Sequence, residues 1–166
     1  MSSVLAIDHG TSTGYAFFED DKFIEGGILR LQDVTKLGEA YDTYKPLFML
    51  YKPDMVVLEK VNVGGIRFGA MNVIKLAQLQ AILRLLCYEF NIEPFEVNPT
   101  SMKKELTGNG RAEKGDVALA LTNIWEVSLD DIVIPVYYKK KEGIKELIYD
   151  KSDAVALGTY YLLTNK

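Results

Sequence analysis

Three apolar runs open the chain with only short polar turns between them, and after them strand-like and helix-like runs alternate. That order limits the fold more than any single residue does. Residues 3–8, 13–19 and 22–31 read as strands, and the turns "HGTS" and "EDD" are too short to hold a crossover helix. The three are therefore expected as antiparallel neighbours joined by hairpins. Residues 34–51 place Leu37, Tyr41, Tyr44, Leu47, Phe48 and Tyr51 at helical spacing, and "KPD" ends the pattern. "DMVVLEKV", 54–61, reads as a buried strand, 69–90 as the longest helix, and "EPFEV", 93–97, as a fifth strand. Asn98 and Pro99 supply the cap and first turn of a short helix, followed by helices over about 112–125 and 150–164. Residues 126–149 alternate irregularly and read as a hairpin or loop excursion. The expected class is α/β: one domain over 1–166, a five-stranded mixed sheet with helices on both faces.

Within this order, carboxylates fall where apolar strands end. Asp8 follows Val4 to Ile7, and Glu59 follows Met55 to Leu58. Asp150 and Asp153 stand three apart at the start of the last helix and so share a face. Each has a plainer reading when taken singly: Asp8 as a turn residue, Glu59 as a partner for Lys60, Asp150 as a helix cap. Taken together in this topology, four acids from three segments converge. Close carboxylates push one another toward protonation unless a cation joins them. All-oxygen donors suit Mg²⁺, with Mn²⁺ as substitute, and not zinc. A pair of such ions about 3.5–4 Å apart clamps a phosphodiester.

Composition narrows the setting. Net charge is −4, from 19 Lys plus Arg against 23 Asp plus Glu, which does not favour nucleic acid until the grouping of the lysines is considered. Cys87 is the single cysteine, which excludes a disulfide framework, and its apolar surroundings predict a buried thiol. No apolar run is expected to cross a membrane, and "MSSVLAID" reads as a strand and not as a signal peptide, so the expected location is cytoplasmic.

Four stretches carry a resemblance: "AIDHGTSTGYA", "VVLEKV", "MKKELTGNGRAEKGDVALAL" and "YDKSDAVALGTYYL". With them the chain resembles a RuvC-type Holliday junction resolvase of the ribonuclease H-like superfamily, in its size a phage-encoded member. The third stretch, a Lys and then G-x-G-x-A-E-K opening a helix, is the most specific. The resemblance implies that Asp8, Glu59, Asp150 and Asp153 bind the metal ions and that Lys103 and Lys114 meet the phosphate backbone near the cut, with Lys114 catalytic. It implies a homodimer acting on four-way junctions and other branched DNA, nicking symmetrically to leave 5′-phosphate and 3′-hydroxyl ends. Lys103, Lys104, Arg111 and Lys114 surround a glycine turn, and Arg67 and Lys75 flank the fourth strand and the long helix, which makes all six candidate DNA contacts. Leu76, Leu79, Ile82, Leu83, Leu86 and Phe90 form an apolar face on that helix that could serve both the chain's own sheet and a dimer partner, own-core burial being the commoner use. No feature identifies a helicase partner.

Three departures from the resemblance stand out. Asn62 occupies the place of a base-stacking aromatic, with Phe68 nearby as a substitute or a core residue. His9 replaces a common proline and reads as an incidental turn residue or, less readily, as one that tunes or contacts the metal site. The 126–149 segment is long, and its "YYKKKEGIK" reads as a solvated turn or an added DNA-contacting loop. The rival readings are a catalytically weak branched-DNA-binding module and an ATPase of the actin and sugar-kinase group, in which Thr11 and Gly14 would cradle phosphate. A compact YqgF-like protein is a third.

Overall fold

In the computed structural model, which describes residues 2–61, 69–137, 139 and 141–166, the sheet has the expected five strands. β1 (Ser3–Asp8), β2 (Ser12–Glu19) and β3 (Lys22–Arg30) form an antiparallel meander. β4 (Met55–Glu59) pairs parallel with β1, and β5 (Phe95–Val97) parallel with β4, giving the order β3-β2-β1-β4-β5. The β2–β3 turn is made by Asp20 and Asp21 at φ 49° and 61°. Two left-handed central residues match the hand of the strand twist, and aspartate tolerates that conformation better than most residues.

Strand alternation divides the core. Leu5 and Ile7 on β1, with Val56 and Leu58 on β4, pack under α1 (Leu37–Tyr51) and α2 (Ala70–Glu89). Val4, Ala6 and Val57 face the other way, under α3 (Pro99–Thr107), α4 (Lys114–Trp125) and α6 (Asp150–Thr164). α6 is the most enclosed helix, burying Ala154 to Thr159 without a break. Gly158 is part of the reason, since a Cβ there would overlap the Phe18 ring. Trp125 Nε1 donates to Thr159 Oγ1 at 2.8 Å, which ties α4 to α6.

α2 bears on two sequence expectations. It is long and apolar enough to cross a bilayer by length and composition, contrary to the expectation that no run is. One side of it, however, is a core face: Leu79, Leu83, Leu86 and Cys87 are fully buried. Each such leucine contributes about 1.5–3 kcal/mol to the fold. Burial pushes the Cys87 thiol up to about 12. Of the six residues expected to serve both the sheet and a partner, Leu79, Leu83 and Leu86 are used inside the subunit and Ile82 and Phe90 pack against the same cluster, whereas Leu76 is exposed. The side left outward instead carries Met71, Ile74, Leu85 and Tyr88.

The 126–149 segment also gains definition. α5 (Leu129–Ile132) was not expected, although "SLDD" holds a capping box in which the Asp131 carboxylate accepts from the Ser128 amide at 2.9 Å. A hairpin of β6 (Ile134–Tyr137) and β7 (Ile144–Ile148) follows and forms a separate two-stranded sheet. α1 starts at Leu37 and not at residue 34, since Asp33 Oδ1 accepts from the Thr35 amide and hydroxyl in a local turn. Asn62, Arg67 and Phe68, and Lys140, lie outside the described residues.

Candidate metal centre

Asp8 and Glu59 meet because β1 and β4 are parallel and in register, Ala6 beside Val57 and Ile7 beside Leu58. Alternation turns Asp8 to the same side as Ala6, and Glu59 to the same side as Val57. Both emerge at the carboxyl ends of adjacent parallel strands, where open α/β sheets place their ligands. α6 then delivers Asp150 and Asp153 to this end from the other layer. Carboxylate oxygens of Asp8, Asp150 and Asp153 all lie within 4.8 Å of one another. Glu59 is outside that tight group, yet its charge acts directly on Asp8.

Two residues make this approach possible. Gly14 pairs with Asp8 across β1 and β2, and a Cβ at Gly14 would occupy the space of the Asp150 carbonyl. Glycine thus lets the start of α6 rest on the sheet directly beside Asp8. Ser12 Oγ donates to Asp150 Oδ2 at 2.6 Å and fixes that carboxylate. Asp150 is not the helix cap: Tyr149 holds that position, and the Asp150 side chain remains available. Ser12 was not picked out from sequence, although it stands in the hydroxyl-rich run Thr11 to Thr13 that follows Asp8. Thr13 Oγ1 and Tyr44 Oη, buried at 3.0 Å, support the same turn from below.

The electrostatics are those of an acid cluster lacking enough positive charge. Burial raises the Asp8 carboxyl well above the usual range, and Glu59, Asp153 and Asp150 raise it further against the opposing Lys114. Glu59 and Asp153 are raised as well, again chiefly by burial. Lys114 is the first residue of α4, and its ammonium is bonded to Asp153. Burial pulls that ammonium down, but Asp153, Asp8 and Asp150 outweigh it and hold the pKa raised. The pair is unequal: Lys114 gains charge stabilisation, whereas Asp153 stays raised despite it. One lysine does not neutralise the group. Three or four oxygen donors with unbalanced charge fit a hard divalent cation, and Asp8, Asp150 and Asp153 are close enough together that they could hold one.

A linked stability effect follows. Groups with raised folded-state pKa values contribute stability that is complete below the usual carboxylate range and lost as pH rises through the raised values. In chelator, the melting temperature should fall with rising pH on this account. Mn²⁺ should recover more of it at about pH 8 than at about pH 5. Equal Mn²⁺ shifts at both pH values in a thermal melt would contradict the assignment.

The basic residues divide. Lys103 lies close enough to lower Glu59 and Asp153; Lys104 follows it in α3, and Arg111 is on the turn between α3 and α4. Asn98 caps α3 by accepting from the Thr100 and Ser101 amides at 2.9 and 3.2 Å, and Gly108 at φ 79° ends it. Lys75 lines a cavity of about 270 Å³ with Thr11, Val34, Asn72, Leu76 and Leu79. His9 is not a surface turn residue. It is buried, its pKa is lowered to about 4 by that burial, and neither ring nitrogen has a hydrogen-bond partner among the described residues. It follows Ile7 and faces Leu76 and Glu96, on the layer opposite the aspartates.

With the fold and this geometry in place, comparison with known proteins is direct. The family model described as crossover junction endodeoxyribonuclease RuvC matches residues 4–136. The protein of that name from Aliarcobacter butzleri is 32% identical over 165 residues, covering 93% of this chain and 94% of the relative. Among solved structures, Thermus thermophilus RuvC superposes with a TM-score of 0.70 at 17% identity, over 98% of this chain and 96% of that one. The same enzyme in complex with a Holliday junction substrate gives 0.71 at 15% identity, over 97% and 92%. An acid cluster at the strand ends of a matching sheet, a matched sequence span and a relative aligned nearly end to end agree: the chain belongs to the RuvC family of crossover junction endodeoxyribonucleases.

Proposed function

We propose that the chain is a metal-dependent endonuclease that resolves Holliday junctions, and cuts other branched DNA, by paired nicks leaving 5′-phosphate and 3′-hydroxyl ends. The convergence of Asp8, Asp150 and Asp153, with Glu59 beside them, carries this reading. These four residues would hold Mg²⁺, a pair of ions per site, with Mn²⁺ as substitute. Bound there, the ions supply Lewis acidity toward the phosphodiester and acidify the attacking water. The chain's own groups do the rest. Ser12 holds Asp150 in orientation, and Lys103 and Lys114 bring positive charge to the side where a phosphate would enter. Lys104 on α3 and Arg111 on the turn after it would extend that charge, Lys75 on α2 lines a cavity with Thr11 and Leu79, and Arg67 lies outside the described residues. The whole of 1–166 acts as one nuclease domain, and we place it in the cytoplasm of a bacterial host, whether encoded there or by a phage.

A cleavage map on mobile and immobile four-way junctions, with Mg²⁺, tests the reading. Symmetric nicks that religate are expected; ATP hydrolysis without nicking would refute it. Lys114→Ala should lower the cleavage rate about a hundredfold, with a much smaller change in junction affinity, because the ammonium faces charge that develops in the reaction. An equal loss in both would reduce Lys114 to an anchoring contact.

Homodimerisation is proposed through the outward side of α2. Met71, Ile74, Leu85 and Tyr88 recur in steps of three and four about the gap at Gln78 and Ala81, and Tyr88 is 81% exposed. Such a seam matches a second helix of the same kind. Leu85→Glu should convert the protein from dimer to monomer in sedimentation at micromolar concentration. A monomeric wild type would remove the interface.

A further inference from the structure

The β6–β7 hairpin is the part of the molecule that the sites above leave unused. Its pairing sets Pro135 opposite Leu147 and Tyr137 opposite Ile144, with a register shift between Val136 and Tyr137. Cross-strand partners share a face, so these four apolar side chains form one surface. That surface is open: Tyr137 is 63% exposed, Ile144 51% and Leu147 39%. A two-stranded hairpin in water is marginal on its own account, and an uncovered apolar face makes it more so. Charge identifies what would cover it. Residues 134–148 carry four lysines against two glutamates, in a chain with a net charge of −4. Lys139, Lys141 and Lys145 are exposed at the tip and along β7.

Position completes the argument. β7 ends at Ile148, two residues before Asp150, so the ribbon is continuous with the helix that carries half the acid cluster. At about 3.4 Å per residue, Ile144 lies roughly 14 Å along the strand from Ile148, and the tip beyond it. The second strand also lies beyond residues 4–136, the span matched by the family model. A B-DNA major groove admits a two-stranded ribbon, and exposed tyrosine and isoleucine on it can pack against base edges there.

We propose that the hairpin is a DNA-binding arm, which grips a duplex arm of the branched substrate about five or six nucleotides from the scissile phosphate, at about 3.4 Å per nucleotide. This rests on the nuclease reading and extends it to a surface outside the metal centre. Lys139 and Lys145 contact phosphates, and Tyr137 and Ile144 face the groove.

The test measures junction binding by the full chain in Ca²⁺ over a series of salt concentrations, for wild type, Lys139→Ala/Lys145→Ala and Tyr137→Ala. For the double variant, the Kd should rise about tenfold near physiological salt. The slope of log affinity against log salt should shrink by about 1.8, the value for two lost phosphate contacts. Hydroxyl-radical protection five or six nucleotides from the cut should disappear, and Tyr137→Ala should weaken binding without changing the slope. Wild-type affinity, slope and footprint in the variants would overturn the arm while leaving the nuclease intact. So would a drop in sedimenting mass for Tyr137→Ala, which would assign the face to a protein contact. A wild type that neither binds nor cuts junctions would instead remove the nuclease reading itself, and the arm with it.

Discussion

Asp8→Asn should lose cleavage by about a thousandfold or more, equivalent to about 4 kcal/mol of barrier. The amide keeps the shape of the carboxylate and removes its charge, at the point where β1, β4 and α6 deliver acids together. Junction affinity should stay level or rise, since one negative charge facing the phosphate is gone. A second readout separates this from structural damage. Asp8 is buried among like charges, so neutralising it relieves repulsion, and the variant should melt above wild type in chelator. The same variant should lose most of the Mn²⁺-induced rise in melting temperature. A variant that cuts at near wild-type rate, or that melts lower in chelator, would remove Asp8 from the metal site.

Gly14→Ala should be the most damaging methyl group in the protein. The added carbon meets backbone of Asp150, which cannot rotate aside as a side chain would. α6 must move off the sheet, at a cost of about 3 kcal/mol or more. For a chain of this length that is roughly 6–12 °C in melting temperature. Because the displaced residue is itself a candidate ligand, the Mn²⁺ effect should shrink with it. Gly38→Ala supplies the control: nothing lies within 4 Å of a Cβ there, and the site is in the first turn of α1. It should be neutral or raise stability by about 0.4–1 kcal/mol. Equal melting temperatures for the two variants would show that α6 does not depend on Gly14.

The strands and the acids were legible because both are set by local rules. A period of two, short turns and an apolar run ending in Asp8 or Glu59 required no knowledge of distant residues. Asp150 and Asp153 were legible as a pair from their spacing alone. Their meeting with Asp8 was legible only through the order of elements, since no local signal links residues so far apart in the chain. The orientation of α2 was not legible. Its apolar residues occur on all sides, so Leu85 and Leu86 look alike in sequence, and packing against Leu5 and Ile7 decides which is buried. The burial of His9 was not legible for a related reason: nothing local at "DHG" shows that the alternation set by Ile7 carries on past β1 and directs the imidazole into the α2 layer. Ser12 and the α5 capping box carried recognisable signals, a hydroxyl beside a carboxylate segment and S-x-x-D, that were passed over.

Asp8 ends β1 whereas Asp150 and Asp153 ride on α6, so the three carboxylates share one place only while α6 is seated against the sheet. Any opening that lifts α6 from the sheet disperses the acid cluster, which ties the cluster to the global stability of the domain and not to the order of one loop.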